Sequence, residues 1–124
     1  LKTALLYRLR DMEEAARTIH AMGPRYVLIK GGHLPGDRVV DALFDGLEFV
    51  RQESTRIPGE FHGTGCTLSS AIASGLAKGL SVPEAVATAQ AYIRLAMRAA
   101  SAVGGGRRHL NHVPEGFVPP EARR

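Results

Sequence analysis

The chain has 124 residues, 44% hydrophobic and 23% charged, a balance that fits one globular domain or part of one and excludes a disordered or fibrous segment. Its formal charge of +4 does not form a nucleic-acid surface. Arg107, Arg108, Arg123 and Arg124 lie in the tail, the other basic residues are scattered among acids, and the three Tyr and four Phe never interleave with Lys or Arg. A single cysteine excludes an internal disulfide and suits a reducing cytoplasm, and no apolar run approaches the roughly 20 residues of a membrane span.

Taken in chain order, the first element is a helix. Asp11 and Glu14 have capping-box spacing, and Ala15, Ala16, Ile19 and Met22 follow at helical intervals until Gly23-Pro24. Tyr26-Val27-Leu28-Ile29 is a continuous apolar run bounded by Pro24 and Gly31-Gly32, the pattern of a strand covered on both faces. Helix, short loop and buried strand together point to an α/β layer. Residues 39–43 and 47–51 read as two strands joined through Phe44-Asp45-Gly46. The polar run from Arg51 to Arg56 puts this hairpin at a sheet edge or leaves it partly exposed.

Beyond Gly65, residues Ala71 to Ala77 are nearly all small or apolar, which predicts a helix packed closely on most sides and ended by Lys78-Gly79. Ser81-Val82-Pro83-Glu84 opens another helix with a capping box and an early proline. Its stripe of Ala85, Val86, Ala89, Ile93, Ala96, Met97 and Ala100 faces the core up to Gly104-Gly105-Gly106, with Arg94 and Arg98 on the solvated side. Residues 113–124 read as an irregular tail.

Chemistry concentrates in His62-Gly63-Thr64-Gly65-Cys66-Thr67-Leu68-Ser69. Gly63 and Gly65 let the backbone approach a ligand closely, and the first amides of the following helix lack internal partners, so the turn reads as an anion cradle. The same field favours a thiolate, which makes Cys66 a candidate base or nucleophile. The competing reading is a small buried hydrophobe beside a tight connection. A nucleotide P-loop is excluded because no lysine follows Gly63 until Lys78, and the dinucleotide fingerprint fails at Leu68. Two further readings remain open at this point: His62 paired with Cys66 as in a thiol hydrolase, and Lys30 as an ordinary strand-end lysine beside a turn.

Four blocks carry a resemblance: Leu28-Ile29-Lys30-Gly31-Gly32-His33-Leu34; Val40-Asp41 with Asp45-Gly46; the segment His62 to Ser69; and Leu110-Asn111-His112. In order and spacing they resemble the hydroxymethylpyrimidine phosphate kinase family, from about Asp11 to His112. The resemblance implies the C-terminal half of a three-layer ribokinase-like α/β fold, a central mostly parallel sheet flanked by helices, with a hairpin around residues 39–51. Residues 1–124 are then one partial kinase domain, the ATP and phosphoryl-transfer half. The implied activity is ATP-dependent phosphorylation of hydroxymethylpyrimidine or its phosphate in thiamine synthesis, with ATP as phosphate donor and Mg2+ as cofactor.

Carried over residue by residue, the resemblance makes Cys66 the general base and the amides of Gly63, Thr64, Gly65 and Cys66 the anion hole for the transferred phosphoryl group. Lys30 faces the ATP phosphates, Gly31 and Gly32 admit nucleotide close to the backbone, His33 caps the loop or touches nucleotide, and Asp41 lies near the ribose. No metal ligand is assigned. The superfamily's Asn-x-x-Glu segment has no counterpart, because Asn111 is the only asparagine and Glu115 lies four residues on. His109 and His112 are expected to pack or cap the tail.

Members of the family are longer, and the part expected before Asp11 carries the acceptor pocket. Association with another copy or with a missing N-terminal half is therefore expected, as is a small-molecule partner without nucleic acid or membrane. Two alternatives stand beside this reading. One is a pyridoxal kinase, whose substrate is also a flat heteroaromatic ring with a hydroxymethyl arm; the other is a non-catalytic nucleotide-binding or assembly module.

Overall fold

A computed structural model describes residues 9–31, 36–102 and 108–112. The elements run α1 (Leu9–His20), β1 (Val27–Ile29), β2 (Arg38–Phe44), β3 (Phe49–Thr55), β4 (Phe61–His62), α2 (Thr64–Ala77), α3 (Val82–Arg98), β5 (Ser101–Ala102) and β6 (Arg108–His109). The chain divides into two compact units, residues 1–56 and 57–124. The tail 113–124, the triplet Gly104-Gly105-Gly106, and Gly32 with His33 lie outside the described residues.

In the first unit α1 packs on a three-stranded sheet of order β1-β2-β3. Its core joins Ala16 of α1 to Val27 of β1 and Phe44 of β2, with Ile29 and Phe49 packed against them. Phe44 and Phe49 are register partners and stack at 4.4 Å, while Arg17 lies over the Phe49 ring at 5.1 Å. An ion pair from Arg51 on β3 to Glu13 on α1 ties the outer strand to the helix. Hiding a phenylalanine such as Phe44 from water is worth about 1.5–3 kcal/mol. The sequence reading of these two elements needs correction: Asp11 lies inside α1 rather than at its cap, the buried residues of the helix are Met12 and Ala16 while Ile19 and Met22 are exposed, and β1 is an edge strand with only Val27 buried, not one covered on both faces.

The mostly parallel sheet needs correction among the described residues. Both pairings in the first unit are antiparallel, Val27 opposite Phe44 and Arg38 opposite Thr55 marking the registers. Residues 30–37, between β1 and β2, are too few for the crossover of a dozen or more residues that parallel neighbours require. Parallel pairing is confined to β4 with β6 in the second unit.

The hairpin is present at the expected place with a longer turn, residues 45–48. Asp45 Oδ1 accepts from the amides of Glu48 (2.7 Å) and Leu47 (2.8 Å), and Gly46 takes φ 100°. Because the carboxylate claims two amides, Leu47 and Glu48 belong to the turn and β3 begins at Phe49. Val50, Arg51, Gln52 and Glu53 are exposed on the outer strand, as the polar run indicated, and their charges discourage pairing with another chain.

In the second unit α2 and α3 form an antiparallel pair beside the short sheet β4-β6-β5. Lys78 and Gly79 end α2 in a Schellman motif: the Leu80 amide donates to Gly75 O (3.1 Å), the Gly79 amide to Leu76 O (3.0 Å), and Gly79 takes φ 89°. The capping box of α3 is complete, Glu84 N to Ser81 Oγ at 3.3 Å and Ser81 N to Glu84 Oε2 at 3.2 Å. Ala85, Val86, Ala89, Ile93 and Ala96 are buried as the stripe required. Met97 is only half-buried, and α3 ends at Arg98 rather than running on to the glycine triplet.

The close packing expected around α2 does not hold. Only Leu68 and Gly75 are buried, and Leu76 is 43% exposed. The reason is that α3 occupies one face of α2, where Gly75 meets Ala85, and the remaining small side chains face outward. No helix among the described residues is long and apolar enough to cross a membrane.

The Asp45 turn makes a pH-dependent prediction. Backbone amides of Glu48 and then Leu47, with a smaller contribution from the charge of His20, hold its carboxyl below the ordinary value of 3.8. A carboxyl depressed in the folded state contributes stability above its unfolded pKa and loses it as pH falls through the folded one. In an NMR titration Asp45 should have a midpoint below 3.8, with the Leu47 and Glu48 amide shifts following the same curve.

Candidate functional site

β4 leads into α2 through the single residue Gly63, which takes the left-handed conformation φ 80°, ψ 17°. The first intrahelical donor is the Thr67 amide, bonded to Gly63 O at 3.0 Å. The amides of Thr64, Gly65 and Cys66 therefore have no intrahelical partner, and the N-cap provides no side-chain bond. A Cβ built at Gly63 or Gly65 would meet nothing within 4 Å, so the turn opens to space on its outer side. Cys66 is exposed on the first turn, which removes the reading of a buried hydrophobe. Three amides at the positive end of a helix dipole, beside a thiol, can hold an oxyanion next to a sulfur base.

Cys66 also stands at the rim of a cleft of about 430 Å³ between α2 and α3. Thr67, Ser70 and Ser74 line one side, Thr88 and Tyr92 the other, and His112 also lines it. Tyr92 fixes that end by donating its hydroxyl to His112 O at 2.5 Å, and the Asn111 amide donates to Ala96 O at 3.2 Å. Sequence reasoning missed this cleft. The available signal was the recurrence of hydroxyls at 67, 70 and 74, one stripe on an otherwise apolar helix. His62 meets His109 edge-on, ring centroids 6.0 Å apart, where β4 and β6 pair.

The second group of candidates lies in the first unit. Lys30 directly follows β1, and its ammonium pairs with Asp41 Oδ2, while Asp41 Oδ1 accepts from the Gly31 amide at 2.9 Å. Asp41 is buried, 7% exposed, and the Lys30 side chain is 44% exposed. Thus Lys30, Gly31 and Asp41 come together, but Asp41 turns both oxygens toward its own chain rather than outward to a ribose. Gly31 has a structural cause as well. A Cβ there would overlap the carbonyl oxygen of Val40, so the residue lacks a side chain because β2 passes against it.

The fold matches Bacillus subtilis pyridoxal kinase, solved as an ADP complex, with TM-score 0.83 and 38% identity over 88% of this chain and 42% of that one. It matches Staphylococcus aureus pyridoxal kinase, solved with AMP-PCP and pyridoxal, with TM-score 0.85 and 30% identity over 91% and 43% of the two chains. These likenesses establish part of a ribokinase-like α/β kinase fold.

The family described as phosphomethylpyrimidine kinase matches residues 2–111, and this chain belongs to it. It is 50% identical over 103 residues to the hydroxymethylpyrimidine/phosphomethylpyrimidine kinase of Streptomyces coelicolor, 82% of this chain and 38% of that protein. It is 50% identical over 104 residues to the thiamine biosynthesis bifunctional protein ThiED of Geobacter sulfurreducens, 83% of this chain and 21% of that protein. The chain spans less than half the length of these relatives.

The two glycine environments predict opposite responses to alanine. Gly31→Ala drives a methyl into the β2 backbone and should lower unfolding stability by about 1–3 kcal/mol. Gly65→Ala has open space inside a helix and should raise stability by up to about 1 kcal/mol. Urea denaturation of the two variants checks both signs.

Proposed function

We propose that this chain supplies the ATP-binding and phosphoryl-transfer portion of a hydroxymethylpyrimidine/phosphomethylpyrimidine kinase acting in thiamine biosynthesis. The observation that carries the reading is the uncapped, open turn Gly63–Cys66, with its three available amides and exposed thiol at the rim of a cleft. Membership of the phosphomethylpyrimidine kinase family supports the reaction class.

In this reading ATP is the phosphate donor, and the fit rests on the chain's own groups. Amides of Thr64, Gly65 and Cys66 take the equatorial oxygens of the transferred phosphoryl group, where charge spreads in the transition state. The sulfur of Cys66 accepts the proton of the attacking acceptor oxygen as that oxygen bonds to phosphorus and the bond to the ADP leaving group breaks. The ammonium of Lys30, at the end of β1, takes a phosphate oxygen of the nucleotide. Magnesium is expected with ATP. Among the described residues no three His, Cys, Asp or Glu side chains gather to hold an ion, and no step is assigned to it here.

Pyridoxal is the second acceptor reading, favoured by the fold match to pyridoxal kinases at 38% and 30% identity. Its ring carries a hydroxymethyl arm that the same base and amides would serve.

The test is a coupled assay with ATP and magnesium on the intact protein that carries these residues, hydroxymethylpyrimidine phosphate and pyridoxal being compared side by side. Cys66→Ala should lower kcat by about 10²–10⁴. Unchanged turnover in that variant removes Cys66 as the base. ATP binding by calorimetry without turnover of either acceptor supports the binding-module alternative instead.

A further inference from the structure

The carboxylate of Asp41 is the one buried charge among the described residues, and the Gly31 amide and the Lys30 ammonium are two of its partners. It sits in the inward run Asp41-Ala42-Leu43-Phe44 of β2, where an ionised group is tolerated only if paired and hydrogen-bonded. The Gly31 amide satisfies Oδ1 and fixes the carboxylate plane against the end of β1. Oδ2 then faces the residue before, Lys30, whose stem reaches from the strand end with its head partly in solvent. A lysine ammonium has three N–H donors on a flexible stem, and ordering such a side chain on binding costs affinity. One donor spent on Asp41 orders the stem beforehand and leaves two for an incoming anion.

We propose that Asp41 is a positioning residue, which holds the Lys30 ammonium at the end of β1 by one donor so that the other two meet a phosphate oxygen of the nucleotide. The inference rests on the assignment of Lys30 to ATP in the proposed function. It replaces the expected ribose contact of Asp41 with an indirect role. The Gly31 amide is committed to Asp41 and is not part of the phosphate site.

The sign of one substitution separates positioning from simple charge competition. ATP binding is measured by calorimetry at fixed ionic strength on the wild-type chain, Lys30→Met, Asp41→Asn and the double variant, each checked for folding by circular dichroism. Lys30→Met should weaken binding by about tenfold or more. Asp41→Asn keeps an acceptor for the Gly31 amide but loses the ion pair, and should weaken binding by about three- to tenfold. In the Lys30→Met background it should add less than about twofold, whereas a merely structural role would weaken both backgrounds alike.

Asp41→Asn binding as tightly as wild type, or tighter, overturns the proposal while leaving Lys30 in place. Lys30→Met binding like wild type, or a wild type that does not bind, overturns the lysine assignment and this inference with it. If Asp41→Asn fails to fold, competitive amine labelling of the unaltered protein decides. Lys30 should react several-fold more slowly than the exposed Lys78, and equal or faster labelling overturns the pinning.

Discussion

A single left-handed glycine leaves three amides of α2 exposed, and the chemistry read from this chain depends on that fact. Gly63 turns β4 into α2 in one residue and brings no side chain to cap the helix. Ser, Thr, Asp or Asn at this place would satisfy an amide and stabilise the helix by about 0.5–2 kcal/mol. The same unit shows that such stabilisation is within the chain's repertoire, because α3 begins with a complete Ser81–Glu84 box. One helix start is closed by its own side chains and the other is left available to a ligand.

The first unit solves a different problem, how to keep a charge inside. Asp41 lies in a strand buried along four consecutive residues, and its oxygens are taken by the backbone of Gly31 and the head of Lys30. Gly31 serves twice there. It donates its amide to the carboxylate, and its missing side chain lets β2 come against β1. Removing the carboxylate would strand the glycine amide and loosen the lysine together, so the three residues act as one unit.

Local features were legible from the sequence because neighbouring residues determine them. The capping box at Ser81, the glycine stop at Gly79, the Asp-Gly hairpin and the alanine stripe of α3 all appear where short-range chemistry puts them. The uncapped start of α2 at Gly63 was legible for the same reason, being written in consecutive residues. What failed was long-range. The apolar content of α2 suggested enclosure, but content does not say how many faces have a neighbour, and α3 covers one. Antiparallel pairing of β1 followed from connection length rather than from strand composition. The cleft needed two helices to exist before its hydroxyls had a common wall. The partners of Asp41 were likewise out of reach, since only the paired strands bring it to Lys30 and the Gly31 amide.

Gly75 sets the geometry of the groove from its far end. A methyl there would stand 3.1 Å from the Cβ of Ala85, so the two helices approach closely at this crossing. Gly75 and Cys66 line opposite ends of the same stretch of α2, so the crossing acts as a fulcrum. A wedge of one carbon at residue 75 would tilt the helices about that pivot and alter the aperture beside the sulfur, more than two turns away.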